Sequence, residues 1–417
     1  MFTNRFRPLR RSSGRASDVS PSSIDRARAH RAPSARAVRM LCGTAMAAAL
    51  VGGVVQAPGA GALTSPHSPN HVGFRVIASA NPSPTENALS AVACPSRSFC
   101  ISVGFYAINT VDKTLIERWN GAHWTMAQSV NPSSTVNYLA GVSCPRVTFC
   151  VAVGTEQVGL SQRTLIERWN GRTWSMAATP NPGETNALDA VSCSSVSFCE
   201  AVGVQHVRGV ARTLVERWNG RFWTASVSTN LGARDNELLG VSCASAAFCE
   251  AVGERAAGGI ERTLAERWNG AHWATVGTTN PGVINLLNSV SCPSRGFCVA
   301  VGNEVRGAAT RTLTERWNGV AWRTSPSTSP NLHSFLWSVA CPRAMVCEAV
   351  GIEQNGAVSR TLVEKWNGAR WATYSSANPS SKDGFNGVAC SSLSLCKPVG
   401  YEVVGSGVYD SLIERGS

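Results

Sequence analysis

The chain has 417 residues, 43% of them hydrophobic, and a formal net charge of +12. The excess charge lies at the amino end, because residues 1–62 hold ten arginines against Asp18 and Asp25, and the remaining 28 basic and 24 acidic residues leave only +4. A total so close to neutral argues against a polyanionic partner, and we expect no nucleic-acid binding.

The amino-terminal segment predicts export. Its arginine-rich part leads into "MLCGTAMAAALVGGVVQAPGAGA" (Met40 to Ala62), an apolar stretch of small residues, so that residues 1–62 are interpreted as a secretory signal peptide. Glycine, alanine and Pro58 make this stretch a poor membrane span, and no stable membrane anchor is expected after processing. A Pro/Ser linker follows at residues 63–73. We therefore expect a secreted or cell-surface protein.

A repeat occupies the rest of the chain. The pattern Cys-x5-Cys occurs seven times at steps of 49 or 50 residues, with first members Cys94, Cys144, Cys193, Cys243, Cys292, Cys341 and Cys390. A period of 40 to 50 residues containing several short strands is typical of β-propeller blades.

Each unit contains four strand-like pieces. An inner strand of the type "LAGVSC" is followed by one of the type "FCVAVG", then by "RTLIERW", and a fourth begins at the tryptophan after Asn-Gly. Asn-Gly between the third and fourth pieces is a strong hairpin signal, because both residues tolerate positive φ. Four short strands joined by tight turns make one blade.

The ends of the array predict a closed ring. The seventh unit stops at "SLIERGS" without a fourth strand, whereas "FRVIASANP" (Phe74 to Pro82) aligns without a gap to "WATYSSANP" (Trp371 to Pro379). The first strand would thus complete the last blade. The sequence predicts an all-β, seven-bladed β-propeller with four-stranded blades over residues 74–417, most simply a monomer.

The paired cysteines predict local disulfides. Zinc sites use shorter cysteine spacings with histidine or a second pair nearby, and no histidine recurs with these pairs, so no metal and no cofactor is expected. In an exported protein the pairs would staple the turn between the first two strands of each blade. The expected disulfides are Cys94–Cys100, Cys144–Cys150, Cys193–Cys199, Cys243–Cys249, Cys292–Cys298, Cys341–Cys347 and Cys390–Cys396.

The repeated charges and tryptophans are interpreted as structural. A catalytic site is rarely copied in every blade, so Glu117 and Arg118 and their repeats are expected to form ion pairs between blades, with Glu and Arg facing different neighbours. Trp169 and Trp174 should face each other across the hairpin. Small residues at the third place of the inner strand, such as Gly141, fit a crowded axis.

Part of the repeat resembles known propeller families. "ERWNGRTW" (Glu167 to Trp174) resembles the Asp-box of sialidase-type propellers, S-x-D-x-G-x-T-W, in Gly171, Thr173 and Trp174, while Trp169 replaces the aspartate. "FRVI" at Phe74 resembles the sialidase segment that carries a substrate arginine, which would be Arg75. Kelch-type propellers are similarly rich in tryptophan. The resemblance implies a fold, and it carries over no catalytic set.

Candidate binding residues are those that break the repeat. The second place of the inner strand varies most, with Ser90, Ala140, Asp189, Leu239, Asn288, Trp337 and Asn386. Trp337 is the only tryptophan outside the repeat, and with His333 and Phe335 it forms the densest nonrepeated aromatic group. A large aromatic here either plugs the axis or contacts a ligand. We predict a ligand site of Trp337, His333, Phe335, Asp189 and Asn288.

Two functions are compatible with this pattern. One is a recognition module that binds an extracellular glycan or protein on the variable rim. The alternative is a glycan-processing enzyme, a glycoside hydrolase or lyase, with its site at the channel mouth. An enzyme needs convergent acid and base groups, and the candidates Asp189, Glu184, His206 and Asp235 are scattered through the connections. The sequence favours binding.

Overall fold

The computed structural model describes residues 74–232, 234–393, 395–405 and 407–416. These residues form 28 β-strands, and among them there is no helix that could cross a membrane. The predicted signal peptide (1–62) and linker (63–73) lie outside the described residues. The fold is all-β, as the sequence predicted.

The strands group into repeated antiparallel units, which we number as blades 1 to 7 along the chain. Blades 1 and 2 contain β2 (Glu86–Ser96), β3 (Phe99–Ile108), β4 (Val111–Trp119) and β5 (Trp124–Met126), then β6 (Asn137–Arg146), β7 (Phe149–Val158), β8 (Ser161–Trp169) and β9 (Trp174–Met176). Blades 3 and 4 contain β10 (Thr185–Ser195), β11 (Phe198–Val207), β12 (Val210–Trp218) and β13 (Trp223–Ala225), then β14 (Asn236–Ser245), β15 (Phe248–Ala257), β16 (Ile260–Trp268) and β17 (Trp273–Thr275). Blades 5 and 6 contain β18 (Ile284–Ser294), β19 (Phe297–Arg306), β20 (Ala309–Trp317) and β21 (Trp322–Thr324), then β22 (His333–Arg343), β23 (Val346–Asn355), β24 (Val358–Trp366) and β25 (Trp371–Tyr374). Blade 7 contains β26 (Gly384–Ser392), β27 (Leu395–Val404) and β28 (Val408–Arg415), and β1 (Arg75–Val76) pairs with β28.

The apolar core lies between neighbouring blades. In one such cluster, Val252 and Ala265 of blade 4 pack against Leu287, Ala300 and Leu313 of blade 5. The inner strands approach closely, since a Cβ on Gly141 would lie only 3.0 Å from the Cα of Ala190 in the next blade. The small residues of the inner strands are therefore fixed by this contact, as the sequence predicted.

The cysteine turns are tight and bridged. All seven cysteine pairs form disulfides between residues six apart. The first two strands extend further toward the turn than the sequence suggested, and in blade 1 only Arg97 and Ser98 separate β2 from β3. The indole nitrogen of Trp119 donates to the carbonyl oxygen of Arg97 at 3.1 Å. Each disulfide thus staples a short hairpin, and in blades 1 to 5 a tryptophan also holds the tip.

The Asn-Gly turn works differently from the expectation. Gly121 has φ of +102°, but Asn120 is not among the residues with positive φ. Instead the Asn120 side-chain oxygen accepts hydrogen bonds from the amides of Ala122 and His123, both at 2.9 Å. Asparagine serves here as a side-chain acceptor that closes the turn. The flanking tryptophans face each other as predicted, with ring centroids 5.7 Å apart for Trp119 and Trp124.

The predicted ion pairs between blades are wrong for the glutamates. Glu117 lies fully buried and accepts hydrogen bonds from the hydroxyl of Ser79 at 2.6 Å and the amide of Ala80 at 3.3 Å. Glu167 accepts likewise from Ser129 of blade 1, at 2.7 Å. The partners are neutral groups from the segment after the preceding outer strand. Burial therefore raises the pKa of Glu117 to about 7.

The arginines contact the other neighbour. Arg217 pairs with Glu200 of its own blade at 2.5 Å, and its guanidinium lies 3.6 Å from the ring centroid of Trp268 in blade 4. Glutamate and arginine thus face different blades, as the alternation of a strand requires. The arginine joins blades by stacking on an indole rather than by an ion pair.

The two ends of the described chain meet in blade 7. Arg75 pairs with Arg415 and Val76 with Glu414, in antiparallel register. On the inner side, the Asn386 amide of blade 7 donates to the Leu89 carbonyl of blade 1 at 2.9 Å. The pairing of β1 with β28 is the contact that the alignment of Phe74 to Pro82 with the outer strand of another blade predicted. Arg75, which the sialidase resemblance suggested, lies on this outermost strand.

Candidate binding site on the variable rim

The candidate site lies on the rim opposite the disulfides, which we call the variable rim. It consists of the turns between the second and third strands and the segments that lead into each inner strand. A bridge between Thr310 of blade 5 and His333 of blade 6 joins two blades here, and Glu86 and Tyr409 form a similar bridge between blades 1 and 7. The variable inner-strand residues lie just inside this rim.

Every one of those variable residues is the extra residue of a β-bulge. The register between the first two strands shifts at this place in each blade, for example between Leu336 and Ser338 around Trp337. Bulges redirect side chains and commonly lie next to functional sites. The bulged residues are Ser90, Ala140, Asp189, Leu239, Asn288, Trp337 and Asn386.

A glycine on the second strand makes each bulge possible. A Cβ on Gly351 would lie 2.0 Å from the carbonyl oxygen of Phe335 and 2.9 Å from the Cα of Leu336. No real side chain tolerates such an approach, so glycine is required for close contact here rather than for its φ. Gly351 therefore determines where the backbone places Trp337.

Trp337 forms a flat aromatic surface with Phe335. Their ring centroids lie 5.7 Å apart and their planes differ by only 3°. Both side chains are partly exposed. In the repeat, asparagine at the Trp337 position has a structural role, because Asn288 and Asn386 each donate to a backbone carbonyl of the next blade at 2.9 Å. Trp337 stacks on Phe335 instead.

Two predicted site residues, Asn288 and His333, lie beside this stack. Asn288 donates to the carbonyl of Leu336, the residue before Trp337, so blade 5 contributes directly to the site. His333 starts the same strand as Trp337, and its Nδ1 lies 3.4 Å from the Thr310 hydroxyl. The structure therefore brings together Trp337, Phe335, Asn288 and His333 at the junction of blades 5 and 6.

The other polar candidates are not gathered there. Asp189 lies on the bulge of blade 3, whereas the aromatic stack lies on blade 6. Glu184 accepts a hydrogen bond from the amide of Arg208 at 2.9 Å, and Asp235 accepts one from Ala211 at 3.0 Å. His206 lies 3.0 Å from the Thr185 hydroxyl. These groups hold neighbouring turns of the rim in place.

Sequence reasoning missed an aromatic cluster from three blades. Phe105 and Tyr138 pack with centroids 5.6 Å apart, and Tyr401 and Tyr409 pack at 5.8 Å. The Tyr138 hydroxyl lies 2.9 Å from that of Ser90. The signal was present, because Tyr138 precedes the inner-strand leucine as Phe335 does. Phe105, Tyr138 and Tyr401 are buried, however, so they fill the structure rather than offer a surface.

Three acidic groups of the rim, Asp383, Glu402 and Asp410, lie close together on blade 7. Burial raises the pKa of Glu402, and the neighbouring charges of Asp383 and Asp410 raise it further. The Asp383 pKa is raised by burial, although hydrogen bonds from Ser380 oppose this. Within the described ranges no three His, Cys, Asp or Glu side chains form a group suited to a metal ion.

No protein-family model matches the chain, and no curated protein matches it. Solved structures do match. One, described as YCF48 bound to D1 peptide, is 13% identical with a TM-score of 0.53, covering 84% of this chain and 97% of its own. YCF48 from Cyanidioschyzon merolae is 11% identical with a TM-score of 0.52, covering 83% and 99%. The WD40 β-propeller domain of Doa1 is 12% identical with a TM-score of 0.49, covering 82% and 97%. At these identities the likeness concerns the fold alone, and this chain has the repeated β-propeller fold.

Proposed function

We propose that the protein is an exported recognition module that binds an extracellular ligand on the variable rim, with the Trp337–Phe335 stack at the centre of the site. The observation that carries this proposal is the parallel stack itself, with a centroid distance of 5.7 Å and both rings partly exposed. A residue that packing of the repeat required would match its counterparts in other blades. Trp337 replaces Ser, Ala, Asp, Leu or Asn.

The chemistry around the stack favours a glycan. A flat indole packs on the apolar face of a sugar ring, and polar groups beside it fix the orientation of the hydroxyls. His333 supplies a ring nitrogen at one side of the strand, and Asn288 anchors the other side through Leu336. A protein ligand is the second class, since the structure of YCF48 holds a D1 peptide on a chain of similar fold.

Catalysis is the less supported alternative. Glu184 and Asp235 already accept backbone hydrogen bonds that hold turns, and Asp189 lies on a different blade from the aromatic stack. Hydrolysis of a glycosidic bond commonly needs two carboxyl groups facing one another across the bond. The described carboxylates near Trp337 do not provide such a pair, which favours binding without turnover.

The test is a pair of variants with the same chemical change on different blades. Trp337→Asn restores the residue that blades 5 and 7 already carry, and Leu239→Asn makes a comparable change on blade 4. Both should retain the wild-type melting temperature. A glycan array and a capture experiment with extracellular proteins should yield a ligand that wild type and Leu239→Asn bind, while Trp337→Asn loses at least about tenfold in affinity, or about 1.4 kcal/mol. Equal binding by all three proteins would exclude Trp337 from the site.

A further inference from the structure

The rim of the disulfides carries exposed positive charge and no carboxylate. We call it the disulfide rim, and it consists of the seven Cys-x5-Cys turns and the six Asn-Gly turns. None of these turns contains aspartate or glutamate. Seven arginines in them are exposed: Arg97, Arg146, Arg172, Arg221, Arg295, Arg343 and Arg370.

The balanced total charge conceals this separation. The carboxylates of the second strands nearest the disulfide rim, Glu200 and Glu250, are buried and paired with arginine. Acidic residues outside such buried positions lie toward the variable rim, as Glu184 and Asp235 do. A net charge near zero therefore does not exclude a polyanionic partner for this face.

One cleft on the disulfide rim differs from its counterparts. It lies between blades 4 and 5 and has a volume of about 360 Å³, and it is lined by Phe248, Arg267, Asn269, Arg295, Gly296, Trp317 and Gly319. In blades 1 and 3, a Cβ added to the glycine of the Asn-Gly turn would meet a serine Cβ, at 3.3 Å for Gly121 and 3.2 Å for Gly220. On Gly319 it would meet only the backbone of Gly296, at 3.8 Å. Glycine at 296 therefore opens the cleft.

The walls of the cleft combine guanidinium groups with aromatic rings. Arg267 donates from its Nε to Glu250, and its guanidinium lies 3.8 Å from the Trp317 ring centroid. One terminal nitrogen, Nη2, is buried and has no hydrogen-bond partner in the described part of the chain. Arg295 is exposed and lies 5.9 Å from the Phe248 ring. Two guanidinium groups, one partly exposed and one exposed, thus line one opening.

We propose that this cleft binds the acidic group of an anionic polysaccharide between Arg267 and Arg295. The exposed Arg295 guanidinium would donate to a carboxylate or sulfate oxygen, and the partly exposed Arg267 would add its charge. Further acidic sugars of the same chain would meet the arginines of neighbouring turns. A concave opening fits an acidic group that projects from a sugar chain better than it fits a flat lipid surface. The site is separate from the variable rim and does not depend on Trp337.

The experiment uses three variants of the full exported protein. Arg295→Ala removes one wall of the cleft, and Gly296→Ser fills it with the residue that blades 1 and 3 carry at this place. A Cβ at Gly296 would meet nothing within 4 Å, so the serine variant should fold normally. Arg97→Ala is the matched control, because it removes the same charge at the equivalent turn of blade 1, where Ser98 follows.

Binding is measured at physiological salt to immobilised polygalacturonate and dextran sulfate, with neutral dextran and phosphatidylglycerol vesicles as comparisons. We expect binding to at least one acidic polymer and none to dextran, with Arg295→Ala and Gly296→Ser each about tenfold weaker and Arg97→Ala within about twofold. Absence of binding to both acidic polymers overturns the proposal. Equal losses for Arg295→Ala and Arg97→Ala, an unchanged Gly296→Ser, or preference for vesicles over both polymers would overturn it as well.

Discussion

Ser411 donates its backbone amide to the side-chain oxygen of Asn81 at 2.8 Å, although 330 residues separate them in sequence. The same bond recurs within blade 4, where Thr263 donates to Asn280 at 2.9 Å. Asn81 thus accepts in blade 7 the same hydrogen bond that Asn280, which also follows an outer strand, accepts in blade 4. The segment of residues 74–82 therefore packs as the last part of blade 7.

Because Asn81 and Asn280 accept equivalent hydrogen bonds, replacing either one by alanine should lower the free energy of unfolding by a similar amount. Asn81→Ala and Asn280→Ala should each lower the unfolding free energy by about 1–3 kcal/mol, because each leaves a partly buried amide without its acceptor. Urea denaturation of the two variants measures this. A stable Asn81→Ala beside a destabilised Asn280→Ala would show that the first strand is not docked.

The buried glutamates predict that stability falls as pH rises. Burial raises the pKa of Glu167 and Glu266 to about 7 and that of Glu216 to about 8. An unfolded glutamate releases its proton near pH 4.3, so between these values the folded protein holds more protons than the unfolded chain. The unfolding free energy should therefore decrease from about pH 4.5 to about pH 8. Urea midpoints measured at pH 5 and pH 8 test the direction, and a higher midpoint at pH 8 would contradict it.

Two variants of Glu216 distinguish its role as a hydrogen-bond acceptor from the effect of its charge. It accepts from the Thr164 hydroxyl at 3.3 Å, and its other oxygen is buried with no hydrogen-bond partner in the described chain. Glu216→Ala should cost about 1–3 kcal/mol, because the buried Thr164 hydroxyl loses one of its two acceptors, the other being Asn181. Glu216→Gln keeps an acceptor and should reduce the pH dependence of the unfolding free energy. A glutamine variant with an unaltered pH profile would show that Glu216 does not titrate in this range.

Removal of one disulfide should be costly but local. The Cys193→Ala, Cys199→Ala double variant should lose about 2 kcal/mol in the chain-entropy model, since the bridge closes a ring of only seven residues. Melting temperature measures the loss. Mass spectrometry of non-reduced wild type should find only pairs six residues apart, and bridges between different blades would refute the assignment.

Gly351 should be irreplaceable. A Cβ there would lie 2.0 Å from the Phe335 carbonyl oxygen, so Gly351→Ala must displace the bulge that holds Trp337. Overpacking of this kind typically costs about 1–3 kcal/mol or more. The matched control is Gly277→Ala, at a position without positive φ where a Cβ meets nothing within 4 Å. A larger loss in the control would contradict the steric explanation.

The repeat made much of the fold predictable. Spacing and alignment predicted the number of blades, the strand order, the disulfides and the pairing of the Phe74 strand, because each sequence pattern recurs along the chain. The partners of Glu117 were mispredicted, since charge suggested Arg118 equivalents while the actual donors, Ser79 and Ala80, lie in a segment that resembles an ordinary loop. The outer strands are also shorter than expected, with only Trp174–Met176 paired in blade 2.

The candidate sites depend on features that a sequence shows poorly. The bulge at Trp337 is an extra residue against Gly351, which becomes visible only when two strands are placed in register. The cleft near Arg295 depends on Gly296. This residue has no side chain to contact the neighbouring Asn-Gly turn, and the sequence alone does not show which contact is absent. Trp337 could be identified from the sequence because it departs from the repeat. The separation of charge between the two rims became visible only in the three-dimensional structure.

Closure of the seven blades through strand β1 is the prediction on which the whole fold rests. The most direct measurement is cross-strand bridging in the double variant Arg75→Cys, Arg415→Cys, because these two positions lie opposite one another in register. Directly opposed residues of antiparallel strands have Cα atoms about 4.5–5.5 Å apart, within the range that a disulfide spans. Mass spectrometry should find the two introduced cysteines bridged within one chain, while the control pair Arg75→Cys with Arg316→Cys stays unbridged, because Arg316 already faces Arg323. Free thiols at positions 75 and 415, or a bridge only between chains, would contradict the closed ring.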